Sequence, residues 1–348
     1  MKNLKKKLIV LAVIILLSLG VIGTIIAVVD PFFVYHAPLE GAYYLVDNQL
    51  EQNPGMAKHF EYDSVMLGSS MTTNFDTALF NERLGCEMIK LSYNAAYPHD
   101  ISKIMKIVTE EKESLKYAFL CIDIANYMYE PGTLSYPYPE HLYDDNLFND
   151  IKYLWNKDVL LDYVFEAYQQ KSEIKVNEIY WHWQYMNYNR EHVLSNYILP
   201  ENSYAPAEQY SIANLEENLE TYIVPYIEAT PDTKWIVFFP PYSMLYWNDS
   251  FAANEVDIKL DGMAFITDYL AAYGNVEIYY FHDCEEWICD LNNYTDVTHF
   301  SKEVTDAMTV SLCNGENRVT TEDYRERLKV FDRFVKNYDY EALLEENE

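Results

Sequence analysis

The stretch Tyr62-Asp-Ser-Val-Met-Leu-Gly-Ser-Ser-Met-Thr-Thr-Asn-Phe75 reads as a short apolar strand, residues 64–67, that stops at a glycine and delivers two serines. The serines either merely close a turn or include a nucleophile, and the rest of the chain must supply its partners. From this point strands and helices alternate. Further strands are expected at 87–91, 117–122, 234–239 and 276–281. Helical spacing is expected at 77–84, 99–112, 207–229, 255–272 and 302–312; in 99–112 it sets Ile101, Ile104, Met105 and Val108 on one face. Apolar strands alternating with helices predict a parallel sheet covered on both faces. The expected fold is therefore α/β, a three-layer α/β/α sandwich on a flavodoxin-like five-stranded parallel sheet. Ligands of such sheets sit beyond the carboxyl ends of the strands.

Those strand ends carry a pattern. The first presents Gly68-Ser69-Ser70, the second Ser92-Tyr-Asn94-Ala95-Ala96, and the third Asp123-Ile-Ala-Asn126. The fifth presents His282-Asp283 and then a loop containing Asp296-Val-Thr-His299. Attack by a serine needs a base for the hydroxyl proton, a carboxylate to orient that base, and N–H donors for the oxyanion. Ser70, His299 and Asp296 meet the first requirements, with Asn94, Ala95 and Asn126 as candidate oxyanion donors. His282-Asp283 is a rival pair, ranked lower because it lies directly on a strand end, and His182 between two tryptophans reads as packed.

Before this region lie Lys2, Lys5, Lys6 and Lys7, followed by 22 uncharged residues from Leu8 to Val29. As a helix that run spans roughly 33 Å, enough to cross a bilayer. A cleaved signal peptide would carry a shorter apolar core and a small-x-small site, so an uncleaved signal anchor is favoured. The lysines predict a cytoplasmic N-terminus and an extracytoplasmic main domain at the cell membrane. Residues 1–29 are thus read as basic stub and anchor, 30–60 as a juxtamembrane connector, and 61–348 as the main domain.

The whole chain has a net charge of −30; without those four lysines it carries 21 basic and 55 acidic residues, a net of −34. Such a surface repels nucleic acid, which is excluded as a partner. Five cysteines are too few and too irregular for a disulfide scaffold or a zinc site, and no cofactor or metal is called for. Cys284 and Cys289 are near enough to pair, and free thiols are the equal alternative.

Residues 126–210 hold 14 of the 33 tyrosines and three of the six tryptophans, including Tyr180-Trp-His-Trp-Gln-Tyr185. The stretch is too long for a loop and reads as a helical, aromatic-rich insertion. Its rings either line a sugar-binding wall or fill the insertion's own core, and core filling is the default.

Gly68-Ser-Ser70 after the first strand, with Asp296-x-x-His299 before the last helix, resembles the SGNH (GDSL-like) hydrolase superfamily. The Gly-Ser-Ser variant on a single-span anchor resembles its extracytoplasmic branch, with the D-alanyl-transfer protein of teichoic acid operons and the polysaccharide O-acetylation proteins. The outer segment from Asp30-Pro-Phe-Phe onward resembles membrane-anchored cell-envelope members from Gram-positive bacteria. The resemblance covers roughly residues 60 to 313. It implies Ser70 as nucleophile, His299 as base and Asp296 as orienting carboxylate. The family's oxyanion glycine is replaced by Asn94-Ala95-Ala96, and its third-block asparagine has only Asn126 as a loose match.

Two functions follow as expectations. One is a serine esterase or O-acyltransferase acting through an acyl-enzyme on acyl esters of a cell-surface glycan or glycopolymer. The other is a non-catalytic docking partner of a membrane-bound O-acyltransferase or polymer exporter.

Overall fold

The computed structural model describes residues 2–181, 186–199 and 210–345, and these form two compact units. The first comprises residues up to 60 together with 137–175; the second comprises 61–136 and 176 onward. The tyrosine-rich stretch 126–210 is thus divided between them.

In the first unit, Lys2–Val29 is one helix (α1), long and apolar enough to cross a membrane. It ends at Asp30, which has a left-handed φ of 52°. The Asp30 carboxylate explains the stop. It accepts the N–H groups of Val34, Tyr35 and His36, at 3.0, 2.7 and 3.1 Å, and the Tyr153 hydroxyl at 2.8 Å. Helix α2, Gln49–His59, packs on this turn through Gly55, where a Cβ would come within 2.1 Å of the Phe32 carbonyl oxygen.

The second unit is built on a six-stranded sheet: β1 Ser64–Leu67, β2 Met88–Lys90, β3 Tyr117–Cys121, β4 Lys234–Phe239, β5 Val276–Tyr280 and β6 Arg318–Val319. The spatial order is β2-β1-β3-β4-β5-β6, with the first five parallel and β6 antiparallel to β5. The expected count of five strands is corrected by β6, a two-residue edge strand too short to show an alternating pattern. Every residue of β1 is buried, as are Ala118–Cys121 and Trp235–Phe239. Burial of consecutive residues means that both faces of the sheet are covered.

The covering helices are α3 Thr77–Leu84, α4 Pro98–Glu111, α5 Ile212–Tyr222, α6 Val224–Ala229, α7 Met244–Ala252, α8 Val256–Leu270, α9 Lys302–Asn314 and α10 Tyr324–Asn337. They pack in two sets, α3 with α9, and α4 with α5, α6, α8, α10 and α7. Helix α4 buries Ile101, Ile104, Met105 and Val108, as its spacing predicts. Helix α10 goes beyond the sequence reading; it buries Tyr324, Leu328, Phe331 and Val335 at helical spacing.

All five cysteines are free thiols, so Cys284 and Cys289 are not bridged. Trp181 donates its indole N–H to the Phe75 carbonyl at 3.1 Å, and the ammonium groups of Lys90 and Lys302 lie 5.6 and 5.4 Å from its ring centre. Its ring is engaged by protein, which favours core filling over a sugar platform. His182, Trp183 and Tyr185 lie outside the described residues.

Candidate active site

The first strand ends where backbone conformation and close packing demand a glycine. Gly68 has φ 147°, and a Cβ there would lie 2.9 Å from both Cys121 Cβ and Thr72 Cγ2. The chain then enters a 3-10 turn, Ser70–Thr72, capped by the Ser69 hydroxyl, which accepts the Met71 N–H at 3.2 Å. Ser69 is only 4% exposed, whereas Ser70 opens the turn and is partly exposed. The two serines therefore part company within one residue.

A second loop meets this turn. Tyr294 and Phe300 pair as an antiparallel bridge, and Ser301 N–H reaches the Asn293 carbonyl at 2.8 Å, closing a tight loop around Asp296 and His299. Tyr294 fastens it to the end of β4 by donating to the Pro241 carbonyl at 2.6 Å. Ser243 does the same through Val297, its hydroxyl donating to the Val297 carbonyl at 2.8 Å. Asn74, four residues past Ser70, donates to the Phe300 carbonyl at 3.2 Å. The result is an unbroken chain: Ser70 Oγ lies 2.8 Å from His299 Nε2, and His299 Nδ1 lies 2.6 Å from Asp296 Oδ2. The other Asp296 oxygen accepts the N–H groups of Thr298 and His299, both at 2.8 Å. Burial pushes the Asp296 carboxyl up, but the bonds from His299 and Thr298 outweigh it and hold the group below the usual carboxylate range.

The candidate oxyanion donors separate. Tyr93 N–H bonds to the Gly68 carbonyl at 3.1 Å, which brings residues 94–96 beside the serine turn. Ala95 is exposed and has φ 54°, the left-handed conformation that a glycine takes without strain. Among the described residues, no hydrogen bond takes the N–H of Ser70 or of Ala95. Asn126 spends an amide hydrogen on the Ala96 carbonyl at 2.9 Å, tying the end of β3 to this loop. Asn94 is partly buried in the same turn. Since a Cβ in the left-handed region costs about 1–2 kcal/mol, and glycine loses more backbone entropy on folding, Ala95→Gly is expected to stabilise the chain by up to about 1 kcal/mol. A thermal melt measures this, and a clear loss of stability would mean that the Ala95 methyl makes a needed contact.

The rival pair is not assembled for catalysis. Asp283 is held bidentate by Arg327, at 2.8 and 2.6 Å. His282 is 1% exposed, packed against Phe331 and Tyr280, and neither ring nitrogen has a partner among the described residues. Burial lowers its pKa from 6.5 to about 4, with Asp283 opposing and Arg327 reinforcing that shift. The unfolded chain thus binds a proton here, between about pH 6.5 and 4, that the folded chain refuses. The stability at stake is fully present above about pH 6.5 and is lost as the pH falls toward 4, on the order of 3 kcal/mol in all. Urea midpoints at pH 7 and pH 5 should diverge for the wild type and converge for His282→Phe. An unchanged divergence would assign the pH dependence to other groups.

Two supporting residues escaped the sequence reading of the site. Asp123, noted only as part of a strand end, is buried, accepts the Tyr242 hydroxyl, and is hydrogen-bonded by Ser69. Burial pushes its carboxyl up to about 6, against the pull of Ser69 and of nearby His299. Lys90 is wholly buried and donates to the carbonyls of Thr73 and Phe75, at 2.7 and 2.9 Å, bracing the segment that follows Ser70. A carboxylate at a parallel strand end was a usable signal for Asp123; a lysine near the end of a strand gives none, because it reads as a solvated terminus.

Among known proteins, no family model and no curated sequence matches the chain.

Proposed function

We propose that this chain is a membrane-anchored serine esterase or O-acyltransferase that acts on acyl esters of a cell-surface glycan or glycopolymer. The observation that carries the reading is the continuous Ser70–His299–Asp296 relay, beside the backbone N–H groups of Ser70 and Ala95, which no hydrogen bond takes among the described residues. In this reading Ser70 Oγ attacks the ester carbonyl carbon while His299 Nε2 takes the hydroxyl proton. Asp296 holds Nδ1–H in the productive tautomer and stabilises the imidazolium. The N–H groups of Ser70 and Ala95 are the donors for the developing oxyanion. Collapse expels the alcohol, which takes the proton from His299, and leaves an acyl ester on Ser70. Water or a sugar hydroxyl then gives its proton to His299 and attacks the acyl carbon, and the departing Ser70 Oγ takes that proton back from His299.

Three further observations support the finer assignments. The parallel strands run in the order 2-1-3-4-5, which supports a flavodoxin-like sandwich. The nucleophile candidate follows the first strand and Asp-x-x-His precedes α9, which supports membership of the SGNH-like hydrolases. The four lysines in the first turns of α1, ahead of its apolar run, support a cytoplasmic N-terminus and an outer main domain.

The activity is tested by fluorophosphonate labelling of the detergent-solubilised chain, followed by hydrolysis of acetyl and alanyl esters. A folded chain that neither labels nor hydrolyses would leave the docking role, with no acyl-enzyme. Orientation is checked by protease added to intact spheroplasts, which should digest a C-terminal tag; a protected tag would reverse the topology.

A further inference from the structure

We propose that residues 147–165 form a second membrane contact, a surface segment seated in the bilayer beside α1, with phospholipid as its occupant. The proposal rests on the reading of α1 as a membrane-spanning helix. Trp155 packs directly on that helix: a Cβ added to Gly23 would lie 3.3 Å from its indole nitrogen. Ile26 is buried with Tyr153, Val159 and Leu142, and Ile22 packs against the same cluster. The segment therefore lies alongside the last two turns of α1, below the helix end.

Depth follows from helix geometry. Gly23 precedes Val29 by six residues, about 9 Å along the axis. The uncharged run from Leu8 to Val29 spans roughly 33 Å, against a hydrocarbon thickness of about 30 Å. Only about 3 Å of that run is spare, so the level of Gly23, and with it Trp155, falls inside the apolar layer or at its boundary. The exposed side chains of the segment suit that position. Leu147, Phe148, Ile151, Trp155, Leu161 and Phe165 are all exposed, Phe148 to 94%. In water this would be an unusual concentration of bare apolar groups. At a bilayer boundary aromatic residues anchor, and the long stem of exposed Lys152 carries its charge to the headgroups. Exposed Lys157 pairs with Asp158, and Asp162 is the remaining exposed charge that must face the headgroup side. A lipid occupant is favoured over a protein because the segment packs on a helix that itself requires lipid at the same depth.

The test uses the full chain in phosphatidylcholine nanodiscs, with and without bromine on the acyl chains, and reads tryptophan quenching. Trp155→Phe should remove most of the bromine-dependent quenching. Phe148→Trp placed in that variant should restore it, which guards against a folding artefact. Leu16→Trp, also in Trp155→Phe, reports on α1 itself. Quenching at residue 16 without any contribution from 155 or 148 overturns the proposal and leaves the anchor standing; two copies per disc in that case would give the face to a second chain. Absence of quenching at residue 16 overturns the anchor, and the second contact falls with it.

Discussion

Ser70→Ala will abolish fluorophosphonate labelling and lower ester hydrolysis by about 10^4- to 10^6-fold, whereas Ser69→Ala will keep the nucleophile. The reason is the division of labour between adjacent hydroxyls. Ser70 Oγ is the hydroxyl in contact with His299 Nε2, at 2.8 Å. Ser69 is buried, caps the 3-10 turn through Met71 N–H, and bonds to Asp123. Its loss leaves those groups short of a partner, a cost of about 1–3 kcal/mol in stability, with slower turnover as the turn loosens. His299→Ala should match Ser70→Ala, while His282→Ala should leave labelling intact because His282 is packed among aromatics. Labelling that survives Ser70→Ala, or that disappears in a folded Ser69→Ala, would refute the assignment.

Asp296→Asn should reduce kcat/KM by about 10^3- to 10^4-fold with little loss of structure. The loop explains the contrast. An asparagine oxygen can still accept the N–H groups of Thr298 and His299 that now reach Asp296 Oδ1. The group facing His299 Nδ1 is what changes: an amide N–H2 replaces a carboxylate oxygen, favours the wrong tautomer and gives no charge to the imidazolium. Because Asp296 is held below the usual carboxylate range, its own protonation does not set the acid limb of the rate profile above that range. Thermal melts and kcat/KM measured together make the test. Near-normal turnover would show that His299 works without its carboxylate.

Much of this was legible in the sequence because it depends on local rules. Strand edges at Gly68 and at Pro240-Pro241 follow from backbone freedom and missing donors. The face of α4 follows from helical period, and the apolar run of α1 from composition. Asp296 and His299 are three residues apart, so a single tight loop suffices to join them. Ser70 and His299 are 229 residues apart, and only the parallel sheet, by gathering its strand ends on one edge, brings them to 2.8 Å. The same distance in sequence hid the rest. Nothing local says that Lys90 is buried and reaches Thr73 and Phe75, that Tyr242 meets Asp123, or that Trp155 lies against Gly23. Ala95 shows the limit most plainly. Its missing glycine reads as a defect in the sequence, but the surrounding turn holds the alanine at φ 54°, and tertiary contacts decide what local preference alone disfavours.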